Sequence, residues 1–155
     1  MSLKVFDTKN IRNIVLTGHS GSGKTSLAES MFFKTEGTNR LGSVDNGTSN
    51  SDFEPEEQKR KSSIQNAILP CVFQDTKINV IDSPGYFDFR SEMISAVSVA
   101  DLAIIVISAT SGIEVGTNQA WDICEKASIP RIIVVNKLDR ENTNYVDIVN
   151  EIQSN

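Results

Sequence analysis

The sequence predicts an α/β fold: a mostly parallel sheet with helices on both faces and one antiparallel edge strand. Three observations carry this. Short apolar runs alternate with stretches of helical period, the pattern of parallel strands joined by crossover helices. Two of the runs, 68–74 and 77–81, are separated only by Asp75 and Thr76, which suits a hairpin and makes the first of the pair an antiparallel edge strand. At 155 residues, with no shift of composition along the chain, one compact domain is expected.

In order along the chain, 13–17 (NIVLT) reads as the first strand, followed by a Gly-rich turn and a helix over 24–34 with Leu27, Met31 and Phe32 on one side. Residues 35–63 show no period and are rich in Gly, Thr, Asn, Ser and charge. That is far longer than an ordinary loop in a compact domain, so the segment is expected to be functional or disordered. After the hairpin come a helix over 89–99, a strand over 102–108, a helix over 117–126 and a strand over 131–135. Tyr145, Ile148, Val149 and Ile152 fall at i, i+3, i+4 and i+7, giving a last helix that runs to the terminus.

The bulk charge narrows the partners. A net charge of -5 opposes binding of the whole domain to nucleic acid, so no DNA partner is expected and any RNA contact is local or lies outside this chain. No run of about 18 apolar residues is present and MSLKVFDTKN lacks the apolar stretch of a secretory signal, so a cytoplasmic protein without a membrane partner is expected. Cys71 and Cys124 form neither a metal pattern nor a disulfide framework and are expected as buried free thiols. The single histidine, His19, has no second histidine with which to build a metal cluster.

Three segments carry chemistry. The turn GHSGSGKT fits GxxxxGK[ST]: Gly18, His19, Ser20, Gly21, Ser22 and Gly23 wrap a phosphate with backbone N–H groups, and Lys24, Thr25 and Ser26 open the helix whose N-terminus also faces it. Lys24 is placed to reach the β/γ oxygens and Thr25 to offer a hydroxyl to Mg²⁺. A dinucleotide GxGxxG reading fails, since Ser26 stands at the third glycine and no acidic residue ends a second strand about 20 positions on. His19 would sit under the phosphates rather than beside an attacking water, which favours a structural role. In VIDSPGYFDF, Asp82 ends an apolar strand where a carboxylate can hold Mg²⁺ through water, and Gly85 can turn its N–H toward a γ-phosphate. Alone, that stretch is an ordinary Ser-Pro-Gly turn; the upstream GKT gives it meaning. NKLD follows the strand RIIVV, and the Asp139 carboxylate can accept both N1–H and the 2-amino group of guanine, where adenine offers an acceptor and nothing. Asn136 would reach O6 and N7, with the Lys137 stem along the base.

Together these segments resemble the nucleotide domain of translational GTPases, over nearly all of residues 10–154, and most of all elongation factor G in its second-type paralogues. LGSVDNGTSNSDFEPEEQKRKSSI resembles the first switch region of that family, so 35–63 is expected to be a switch I-like loop. SGIEVGTNQAWDICEKASIPRIIVVNKLDREN resembles the stretch leading into its guanine motif. Tetracycline ribosomal-protection proteins share the GSVDxGT element. The resemblance implies a P-loop fold, GTP and GDP as ligands, Mg²⁺ held by Thr25, Asp82 and the switch hydroxyl Ser63, and hydrolysis of GTP on the ribosome. It makes Tyr86, Gly85 and Lys24 the candidate catalytic set.

Two departures qualify the resemblance. Most relatives carry Asp where this chain has Gly21, removing a carboxylate near the phosphates. Most also carry His where it has Tyr86, and a phenol with a reference pKa near 10 brings no positive charge at neutral pH, so a low intrinsic rate is expected. A nucleotide-dependent ribosome-binding module with little hydrolysis, and a ribosomal-protection-type GTPase, are the alternatives. The family's fifth nucleotide element, a Ser-Ala loop, would follow Asn155, and SAT at 108–110 lies too early to be it. Residues 1–155 are therefore expected to be a GTP-binding domain incomplete at its C-terminus, a monomer in isolation, whose main RNA contacts belong to domains outside this chain.

Overall fold

The computed structural model describes residues 5–155; the first four positions of the domain read from sequence lie outside it. The strands are β1 (Ile11–Thr17), β2 (Ala67–Phe73), β3 (Thr76–Asp82), β4 (Leu102–Ser108) and β5 (Arg131–Asn136). The helices are α1 (Lys24–Lys34), α2 (Pro55–Arg60), α3 (Arg90–Ser98), α4 (Val115–Lys126) and α5 (Tyr145–Ser154). The sheet order is β2-β3-β1-β4-β5. β1 runs parallel to β3 and to β4, β4 runs parallel to β5, and only β2 is antiparallel, against β3. This is the expected fold.

Alternation along the central strands divides the interior into two cores. LAIIVIS in β4 is apolar at successive positions, as a strand covered on both faces must be. Ala103, Ile105 and Ile107 face Met93, Ala96 and Val97 of α3 and Ala120, Ile123 and Cys124 of α4, with Ile152 of α5 at the margin. Ile104 and Val106 turn the other way, to Ile14, Leu16, Val80 and Ala28, where Leu27, Met31 and Phe32 also pack. β2 buries only Ala67, Leu69 and Cys71, leaving Ile68 62% exposed at the sheet edge. Both thiols are buried and free, as expected.

Several boundaries differ from expectation, each for a local reason. The hairpin turn is Gln74-Asp75, one residue earlier than Asp75-Thr76, because Phe73 pairs with Thr76 and both turn residues take positive φ, 45° and 63°. β-branched Thr76 suits the strand better than the turn. α4 starts at Val115, two residues before the expected 117, because Glu114 and Thr117 form a capping box. A 3-10 turn, Phe87–Phe89, takes up the expected first residue of α3. The aperiodic segment 35–63 contains α2, with Pro in its first turn and a capping box between Glu54 and Glu57. Glu57 is 1% exposed, and its Oε1 accepts from the backbone N–H groups of Ile64 and Gln65 at 2.9 and 3.2 Å, fastening the end of the segment. Among the described residues no helix is long and apolar enough to cross a membrane.

Ile105 is fully buried at the middle of β4, where neighbouring elements restrict collapse around a cavity. Ile105→Ala is expected to lower the unfolding free energy by about 3 kcal/mol, and Ile68→Ala on the open face of β2 by less than about 1 kcal/mol, both read from urea denaturation.

Candidate nucleotide site

The carboxyl ends of β1, β3 and β5 lie along one edge of the sheet, and each runs straight into one of the polar segments. The registers that set this are Leu16 opposite Asp82 and Ser108 opposite Asn136. After β1 the chain turns through residues 18–23 and enters α1. Gly23 caps that helix at a φ of 99°, left-handed backbone that a Cβ would strain, and a Cβ there would also collide with the Asn136 side chain. Asn136 Nδ2 donates to Ser22 O at 3.0 Å and Lys137 Nζ to Gly21 O at 2.7 Å, so the segment after β5 braces the turn after β1. The segment after β3 approaches from the other side: a Cβ on Gly85 would collide with Lys24 Nζ and with the backbone N of Ser20. Asp139 is exposed beyond the end of β5.

His19 faces away from this convergence. Its Nδ1 accepts from the backbone N–H of Gly116 at 3.2 Å, and its Nε2 lies 3.4 Å from Glu114 Oε1. An accepting Nδ1 puts the proton of the neutral ring on Nε2, toward the carboxylate. Both ring nitrogens are thus engaged in holding the start of α4 against the turn.

Electrostatics concentrate beneath the turn. Lys24 is 6% exposed, and its Nζ donates to Gly18 O and His19 O at 3.2 and 2.8 Å. Burial lowers its pKa to about 8, with Asp82 nearby opposing the shift. Asp82 is 1% exposed, and burial pushes its carboxyl up to about 6. The Thr25 hydroxyl and the Lys24 ammonium are close enough to pull it partway back, yet neither carboxylate oxygen has a hydrogen bond of ordinary length and angle. Ser63 Oγ donates to Asp52 Oδ1 at 2.7 Å. With its proton so used, it accepts from Thr25 Oγ1 at 3.2 Å.

Lys24, Thr25 and Ser63 line a cleft of about 620 Å³, together with Ser20, Gly21, Ser26, Gly85, Lys137 and, at 51% exposure, Tyr86, with Asp82 buried beneath it. Hydroxyls of Thr25 and Ser63 beside an unpartnered buried carboxylate are hard oxygen donors of the kind Mg²⁺ takes. Among the described residues no cluster of three His, Cys, Asp or Glu side chains is present.

Asp52, Lys61 and Arg140 also line the cleft and were not legible as site residues. The first two lie in or beside the aperiodic segment, where a charge carries no positional information. Arg140 directly follows NKLD, and that adjacency was a signal open to use.

A glycine-rich turn between strand and helix, a buried lysine at the helix start and a second segment bracing the turn from a neighbouring strand define a P-loop nucleotide-binding domain. Residues 9–155 match the Elongation factor Tu GTP binding domain family, and the chain belongs to it. The chain is 37% identical over 145 residues to Elongation factor G 2 of Borreliella burgdorferi, covering 94% of this chain and 22% of that protein. It is 36% identical over 143 residues to Ribosome-releasing factor 2, mitochondrial, of Meyerozyma guilliermondii, covering 92% of this chain and 17% of that one. A crystal structure of a Thermus thermophilus protein superposes with a TM-score of 0.90 at 37% identity, over 93% of this chain and 22% of that chain. The chain therefore spans about a fifth of the length of these relatives.

The raised Asp82 carboxyl makes a stability prediction. At pH values between 3.8 and about 6 the unfolded chain has released this proton while the fold retains it, so the contribution is fully present below 3.8 and is lost as pH rises through 6. Without added nucleotide or divalent metal, Asp82→Asn is expected to raise urea stability at pH 7 by about 2 kcal/mol and to flatten its decline between about pH 4 and 7. An unchanged pH profile would place the shifted proton elsewhere.

Proposed function

We propose that this domain binds GTP with Mg²⁺ and hydrolyses it to GDP and phosphate, stimulated by the ribosome, as the nucleotide domain of an elongation factor G-like factor. Meeting of the turns after β1, β3 and β5 carries the reading: Lys24, Thr25, Gly85 and Lys137 line one cleft while Asn136 braces Ser22, and the elongation and ribosome-releasing factors among the relatives support the ribosome as partner. The site residues act as follows. Backbone N–H groups of 18–23 cradle the phosphates, with Ser26 in the first turn of α1 beneath them. Lys24 shifts from the carbonyls of Gly18 and His19 to the β/γ oxygens, and an anion beside it restores its full charge. Thr25, Ser63 and Asp82 would hold the metal. Magnesium held there would supply positive charge against the negative charge of phosphoryl transfer. The Gly85 N–H meets the γ-phosphate. Asn136, Lys137 and Asp139 take the base, and a carboxylate facing N1 rejects ATP.

Tyr86 at the cleft rim orients the attacking water through its hydroxyl. It carries no positive charge to stabilise the transition state, and Gly21 adds no carboxylate, so the intrinsic rate is low and the ribosome supplies the stimulus. The factor works in the cytoplasm. This domain alone is a monomer, and the main RNA contacts lie in the rest of the factor.

Two measurements test this. In fluorescence titration of the chain with labelled GTP in Mg²⁺ buffer, unlabelled GTP and GDP are expected to displace the label, ATP is not, and Asp139→Ala weakens GTP by at least about tenfold. Competition by ATP equal to that by GTP refutes the guanine assignment. In single-turnover hydrolysis by the whole factor with ribosomes, Tyr86→Phe is expected to slow the reaction by about tenfold and Tyr86→His to speed it. Equal rates in all three remove Tyr86 from the reaction, and near-zero native turnover that His restores makes the domain a nucleotide-dependent binding module.

A further inference from the structure

Glu29 lies on α1, one helical turn beyond Thr25 and so on the same side of the helix. It is 0% exposed, and among the described residues no Lys, Arg or His forms an ion pair with it. A carboxylate removed from water without a cation requires several donors in its place. Three consecutive residues of the 35–63 segment provide them. Oε1 accepts from Ser49 Oγ at 2.9 Å, from Asn50 N at 2.5 Å and from Ser51 N at 3.0 Å, and Oε2 accepts from Asn50 Nδ2 at 2.7 Å.

The same turn leads to the cleft. Ser49 Oγ, while donating to Glu29, accepts from the backbone N–H groups of Ser51 and Asp52 at 3.1 and 3.2 Å. The backbone of 49–52 is thereby wound around the carboxylate, and Asp52 leaves it 3% exposed with Oδ1 on the Ser63 hydroxyl. Ser63 in turn meets Thr25, four residues before Glu29 on α1. Gly42 packs against the same contact, where a Cβ would collide with Glu29 Oε2 and come within 3.0 Å of the Ser49 Cα. The segment is thus attached to α1 at both ends of a loop of contacts: Glu29 to 49–51, then Asp52 to Ser63, then Ser63 back to Thr25.

We propose that Glu29 is a positioning residue, a buried latch on the phosphate-loop helix that gathers 49–51 and so holds Asp52 and Ser63 against Thr25. Its consequence for nucleotide rests on the GTP-binding reading above, with Ser63 on the γ-phosphate side; the latch itself does not. The latch favours the closed arrangement of the segment, so GTP gains from it and GDP does not.

Amide hydrogen exchange and nucleotide titration of the chain test this in Glu29→Gln and in Gly42→Ala, whose Cβ presses between Glu29 Oε2 and the Ser49 backbone without altering any residue of α1. The amides of Asn50 and Ser51 are expected to exchange at least about tenfold faster in both variants, with β1 and β4 as protected as in the unaltered chain. In Mg²⁺ buffer GTP is expected to weaken about tenfold, with GDP changed less than about twofold. Unchanged exchange at 50 and 51 in Gly42→Ala overturns the latch, including the case in which Glu29→Gln loses protection in β1 and β4 through global unfolding. Faster exchange with equal losses of GTP and GDP overturns the coupling to Ser63. If the unaltered chain binds neither nucleotide, the GTP-binding reading fails, and exchange at 50 and 51 still decides the latch.

Discussion

Leu16 lies opposite Asp82 where β1 and β3 run parallel, and the rest of the site depends on that pairing. Parallel strands deliver their carboxyl ends to one edge, so turns far apart in sequence leave the sheet side by side. A change of register would carry Asp82 away from Thr25 and turn the side chains of β3 to the opposite core. The two cores of alternating Ile, Val, Leu and Ala guard against such a slip, because a shift by one residue exchanges their contents.

Holding the turns together places charge where water cannot reach it. Lys24 and Asp82 are both buried, and burial moves their pKa values toward each other, down to about 8 and up to about 6. Both are destabilised as ions in the fold, and a ligand of opposite charge relieves each. The site thus stores unfavourable desolvation that triphosphate and metal would offset, a common reason for functional residues to weaken the fold that holds them.

Residues 35–63 follow a different logic. They bring no apolar stripe to either core, and their order comes from buried carboxylates that collect backbone donors: Glu29 at 49–51 and Glu57 at 64–65. Hydrogen bonds to charged acceptors can order a polar segment, yet they exchange with water more readily than packed side chains do. A segment so held closes without becoming part of the core.

The strands and every helix but α2 were legible in order because apolar period is local: NIVLT, LAIIVIS and RIIVV each announce a strand, and Tyr145, Ile148, Val149 and Ile152 a helix, whereas PEEQKR of α2 has no apolar period. Ends were less legible, since the start of α4 hangs on a Glu114–Thr117 capping box and the hairpin turn on which residues accept positive φ. The turn at 18–25, Asp82 to Gly85 and NKLD stood out because each is a motif of fixed residue types at fixed spacing. Asp52 and Glu29 were not, because their meaning is a partner 11 residues away in one case and 20 to 22 in the other. Local composition thus specified the order of elements and the chemistry of each turn. Tertiary structure alone brought the turns together, buried Lys24 and Asp82, and closed the polar segment on α1, because desolvation and hydrogen bonding across long sequence separations exist only once the sheet has assembled.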